Sequence, residues 1–150
     1  MRIPLKFVAG QLILNSVVTS PAYRIGFKKI IFVIDTGSSR SFFSEGEAFK
    51  FSLPINSLPK LENMRMGGSP YELFKTKGFT FHFKIEDNKT YSLKLDYFAV
   101  SKTTRKTGKA QTESQNFPSI IGTDFFVQNN MALHFNPNNE SDNYIEIIQK

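Results

Sequence analysis

The sequence predicts an all-β domain with one short α-helix near its C-terminus. Three observations carry this. Phe79-x-Phe81-x-Phe83-x-Ile85 alternates strictly, the period of a half-buried strand. Short apolar runs recur along the chain, separated by Gly, Pro, Asn and Asp turn signals. Only Asp124 to Asn130 reads as a convincing helix, with Thr123 as its candidate N-cap and Asn129-Asn130 suiting its end.

Taken in order, Ile3 to Phe7 alternates and predicts a first strand. Gln11 to Val18 predicts a second, with a polar break at Asn15-Ser16. Arg24 to Ile34 predicts a long strand ending in the continuous apolar run Ile30 to Ile34, followed at once by Asp35. Glu45 to Phe51 could form a short helical turn. Leu61 to Met66 and Tyr71 to Lys77 predict a hairpin around Gly67-Gly68. Phe79 to Ile85 turns at Asp87-Asn88 into a partner strand formed by Tyr91 to Leu95 and then Tyr97 to Val100. Ser101 to Asn116 has no apolar period and predicts a long surface loop. Pro118 to Ile121 is an apolar strand, and Met131 to Phe135 with Tyr144 to Ile148 predicts a terminal hairpin.

With 150 residues, 40% of them hydrophobic, the chain predicts one domain, residues 1–150, with a real core. Sixteen Phe and no Trp make that core one of Phe, Ile and Leu. The absence of cysteine excludes disulfides and thiolate metal sites, and leans toward a reducing, cytoplasmic setting. His82 and His134 lie far apart and read as strand residues; no metal or other cofactor is implied. The net charge of +6 permits anionic partners. The basic residues are mostly scattered, however, and the Phe residues alternate as core positions rather than forming a stacking platform, so no nucleic-acid partner is expected. No apolar run reaches the ~20 residues that span a membrane, and Met1 to Val18 reads as strand rather than leader.

The chemistry is expected at Asp35. A charge at the inner end of a buried strand is costly unless it is hydrogen-bonded. The Gly37 amide and the hydroxyls of Thr36 and Ser38 are close enough in sequence to satisfy it. The segment Ile30-Ile31-Phe32-Val33-Ile34-Asp35-Thr36-Gly37-Ser38 resembles the active-site loop of the aspartic proteases. Downstream, Ile120-Ile121-Gly122-Thr123-Asp124-Phe125-Phe126 resembles the second signature of that family, hydrophobic-hydrophobic-Gly-x-Asp/Asn-hydrophobic-hydrophobic. Between them, Met64 to Ser69 resembles the tip of the substrate-covering flap. Order and spacing are similar to those of the retropepsins, the single-domain members, from about Phe7 to Phe135.

The resemblance implies a barrel-like retropepsin fold with a flap hairpin, and an aspartic endopeptidase that hydrolyses extended apolar peptide segments of a protein or peptide substrate. One Asp-Thr-Gly per chain implies a homodimer with paired Asp35 residues, terminal strands pairing between subunits, and no membrane partner. Asp35 would be the catalytic acid/base, Thr36 would hold the dyad geometry across the axis, and Gly37 would offer its carbonyl to substrate. Ser38 would donate to the carboxylate. Met66, Gly67 and Gly68 would form the flap tip, Ile120 and Ile121 would line the pocket, and Gly122 would pack behind the loop. Many retroviral members carry an Asp–Arg pair where this chain has Ser39 and Thr123. Arg40 reads either as a solvated or Asp124-paired charge, or as a preference for acidic substrate side chains. A different reading of the whole chain is a non-catalytic dimerisation or peptide-binding module on the same fold.

Overall fold

The computed structural model describes residues 1–66, 68–104 and 117–148. The chain runs β1 (Arg2–Pro4), β2 (Lys6–Val8), β3 (Gln11–Ser20), β4 (Ile25–Ile34), β5 (Phe42–Phe43), α1 (Glu45–Lys50), β6 (Lys60–Met66), β7 (Ser69–Lys75), β8 (Phe79–Lys84), β9 (Thr90–Leu95), β10 (Ala99–Thr103), β11 (Ser119–Ile121), α2 (Thr123–Gln128), β12 (Met131–His134) and β13 (Tyr144–Ile147). The all-β expectation holds. The helix count does not: α1 joins α2, because Ser44 caps it by accepting from the Glu47 amide at 3.1 Å. The C-terminal helix begins at Thr123 with Gly122 as its cap, so Thr123 lies inside it rather than capping it.

A ten-stranded sheet has the order β6-β7-β10-β5-β11-β4-β3-β8-β9, with β2 paired to β3. Its centre positions the site. β11 pairs parallel with β4 on one side and antiparallel with β5 on the other. The chain therefore leaves β4, crosses the end of β11, and returns as β5. A second sheet of order β1-β13-β12 ties the two ends of the chain together.

Four differences from the sequence expectation bear on how the strands are arranged. Ile3 to Phe7 is split between two sheets: β1 pairs with β13, in a register that the Leu5 amide extends by donating to Asn143 O at 2.9 Å, and from Lys6 the chain pairs with β3 instead. β3 runs unbroken through Asn15-Ser16, because the buried Ser16 hydroxyl donates to Ile30 O at 3.1 Å. Tyr97 to Val100 does not continue the partner of β8. The Thr76 and Gly78 amides bond to Phe98 O and Asp96 O, which turns the chain so that β10 pairs with β7 and β5. Finally, Ser101 to Thr103 is strand, with Ser101 and Thr103 buried, rather than the start of the expected loop. Residues 105–116 of that loop lie outside the described residues.

The core is built on aromatic rings. Phe32, Phe42, Phe43, Phe79, Phe81 and Phe83 are among the largest fully buried side chains. Phe43, directly after the loop, has ring centroids of Phe98 at 4.6 Å and Phe79 at 4.9 Å, within the range of favourable aromatic pairs. A smaller apolar cluster of Phe42, Leu73, Ala99 and Ile120 lies beside the main one, with Val33, Leu61, Met64, Met66 and Phe117 packed against it. Among the described residues no helix is long and apolar enough to cross a membrane. His82 and His134 are strand residues as expected: His82 lies within hydrogen-bond reach of Thr19 and Ser92, and His134 of Glu146.

Candidate active site

The site grows out of the β4–β11 pair. The register matches Ile34 with Ile121, and the Asp35 amide extends it by donating to Ile121 O at 2.9 Å. The chain then turns. The Ser38 amide donates to Asp35 O at 3.0 Å, and the Gly37 amide donates to Asp35 Oδ1 at 2.9 Å. The predicted role of the Gly37 amide is therefore observed. One premise needs correction: β4 is buried at Ile34, but Asp35, Thr36 and Gly37 are exposed. The strand end emerges at the surface, and the carboxylate of a single chain keeps its water.

Ser38 also differs from expectation. Its hydroxyl donates to Arg40 O at 2.7 Å and accepts from the Arg40 amide at 3.3 Å. A hydroxyl has one proton, so this one is committed to the turn and not to the Asp35 carboxylate.

The second signature holds the loop from below. The Thr123 amide donates to Ser38 O at 2.9 Å, and the Thr123 hydroxyl reaches the same oxygen at 3.4 Å. Ser41, which is buried, donates to Asp124 Oδ1 at 2.6 Å, accepts from the Gly122 amide at 2.8 Å, and presents its own amide to Asp124 Oδ2 at 3.1 Å. Gly122 is required by close approach: a Cβ there would sit 2.5 Å from Ser38 O and 2.6 Å from Arg40 O. Gly122 thus packs behind the loop as the resemblance implies, and residues 35–41 and 121–124 form one unit.

Ile120 and Ile121, the two expected pocket residues, are both buried and lie in different clusters. Ile120 belongs to the small cluster beneath the β6–β7 hairpin, together with Met66. Ile121 faces the other way and is fully buried in the main core, so it offers no surface to a ligand. Adjacent strand residues point to opposite faces, which forces that split. Gly68 takes φ +80° in the hairpin turn, a conformation suited to glycine, and its carbonyl accepts from Arg65 at 3.2 Å. Gly67 lies outside the described residues.

Arg40 pairs with neither solvent alone nor Asp124. Its Nε donates to Glu62 Oε1 at 2.6 Å, and Nη2 to Glu62 Oε2 at 3.4 Å. The hydrogen bond to Glu62 raises the guanidinium pKa; partial burial opposes this, and the charges of Glu62 and Asp124 add to it. Sequence reasoning missed Glu62 and Ser41. Four serines fall between positions 38 and 44, and nothing local distinguishes the bridging one. Asp124 carried a signal, as the acidic position of the second signature, but its partner is Ser41.

No protein-family model matches the sequence, and the search of curated proteins found no match. Among solved structures, the chain is similar to a retropepsin-like aspartic protease from Rickettsia conorii, with a TM-score of 0.55 and 16% identity over 97% of this chain and 87% of that one. This likeness extends over nearly the whole chain, and the all-β architecture agrees with it: the chain has the fold of the retropepsin-like aspartic proteases.

Proposed function

We propose that the protein is an aspartic endopeptidase, active as a homodimer. The observation that carries this reading is the exposed Asp35 carboxylate on a loop whose backbone is pinned by β11, Gly122 and Thr123. Such a carboxylate is presented outward from a rigid support, as a reacting group needs to be.

One carboxylate cannot do the whole reaction. Peptide hydrolysis by this route needs a base to take a proton from the attacking water and an acid to protonate the carbonyl oxygen. Two Asp35 side chains facing each other supply both, because like charges held that close do not both ionise and the pair retains one proton. Water then adds to the carbonyl carbon, the C–N bond breaks, and the amine leaves with a proton. Thr36, also exposed, would hold the two loops together across the axis, and the Gly37 carbonyl would accept from the substrate backbone.

Substrate would enter as an extended strand under the β6–β7 hairpin, where Met66, Gly67 and Gly68 cover it and Ile120 supports an apolar side chain. Dimer contacts through terminal strands are constrained by the second sheet. Both edges of β13 are occupied within the chain, by β1 and β12, so among the described residues of that sheet the free edges are those of β1 and β12. Asp35→Asn tests the reading on a library of extended apolar peptides. Loss of turnover on the order of a thousandfold, about 4 kcal/mol of barrier, is expected. Unchanged cleavage by a folded Asp35→Asn protein would contradict it.

A further inference from the structure

We propose that Arg40 and Glu62 set the charge preference of the peptide groove, each masking the other so that the groove is indifferent to charge at the position they face. This deepens the peptidase reading and rests on it for the groove.

The Arg40 backbone is immobilised: its amide and carbonyl both bond to the Ser38 hydroxyl, and its carbonyl lies against Gly122. The side chain therefore leaves the catalytic loop from a fixed point. Glu62 comes to meet it from β6, at the one irregularity of the β6–β7 ladder, where the register shifts between Lys60 and Glu62. An extra residue in a strand re-aims its neighbours' side chains. Beyond that shift, Glu62, Met64 and Met66 alternate onto one face, and Met64 and Met66 pack against the cluster containing Ile120. The ion pair thus continues the apolar wall between the loop and the hairpin.

The pair is not sealed. The side chains are 35% and 33% exposed, so a substrate side chain can reach either partner. An acidic substrate residue must compete with Glu62 for the guanidinium, and a basic one must compete with Arg40 for the carboxylate. Neither gains while the two hold each other. Remove Arg40, and Glu62 loses its hydrogen-bonded counter-charge beside the substrate; remove Glu62, and Arg40 keeps only the unbonded charge of Asp124, leaving its guanidinium open to an acidic side chain.

The test uses one apolar peptide series carrying Glu, Gln or Lys at each position in turn, read as cleavage by the full chain and as binding to the chain bearing Asp35→Asn. Glu62→Gln should raise selection for Glu over Lys about tenfold at one position. Arg40→Gln should raise selection for Lys over Glu by a similar factor at that same position. Arg40→Glu combined with Glu62→Arg restores the pair and should return selectivity to that of the native chain, which separates specificity from damage to the fold. Cleavage without any charge-dependent change in either single variant overturns this inference and leaves the peptidase reading standing. Binding selectivity that reverses as stated, without cleavage by the native chain, supports the inference and overturns the peptidase reading. Neither binding nor cleavage overturns both.

Discussion

Gly122 is the residue on which the loop's geometry turns. Its φ of −99° is open to any residue, so its importance is spatial. A methyl group there would meet two backbone carbonyls that cannot swing aside. Gly122→Ala should cost about 3 kcal/mol, lowering Tm by roughly 10 °C for a chain of this size. A thermal melt checks this, and an unchanged Tm would contradict the packing described. Ser38→Ala removes a hydroxyl that closes the turn by two hydrogen bonds to Arg40, at an expected cost of about 1 kcal/mol in denaturant unfolding. Ser41→Ala should cost more, about 2 kcal/mol, because its partner is charged and the site is buried. The sequence shows Asp35, Gly37 and Gly122 clearly, since a run of β-branched residues ending in Asp-Thr-Gly is a local pattern. It does not show which hydroxyl goes where. The Ser38 proton was expected on the Asp35 carboxylate, three residues back along the chain, and not on Arg40 O, two residues ahead; either partner is within reach of a turn.

At the level of elements, the short β5 does more for the site than its length suggests. It returns the loop to the sheet beside β11 and delivers Phe43 into a nest of rings. Phe43→Ala should destabilise by about 3–5 kcal/mol through lost burial and the cavity left behind. Phe49, a few residues on in α1 and 78% exposed, should tolerate the same change within about 0.5 kcal/mol. Urea unfolding of both variants reads the contrast, and equal effects would contradict the assignment of the core. Most strands were legible because their period of two is written locally, as in Phe79 to Phe83. What was not legible was pairing. That β10 abandons β9 for β7 and β5 depends on bonds from Thr76 and Gly78, twenty residues away in sequence. The division of the first strand depends on β13, near the other end of the chain, which holds it as far as Leu5, and on β3, which takes it from Lys6.

For the whole molecule, the fold brings one carboxylate to the surface and no second one to meet it within the unit of residues 35–41 and 121–124 beyond Asp124, which Ser41 occupies. The most direct measurement of the central claim is subunit mixing. Native chain is combined with an equal amount of the Asp35→Asn chain, at a concentration well above that needed for association, and allowed to exchange. If each active site takes one Asp35 from each of two chains, random pairing leaves about half of the native chains in mixed, inactive pairs, and the peptidase activity falls to about half. Activity that stays at the level of the native chain alone would show that one chain carries a complete site, and would contradict the account.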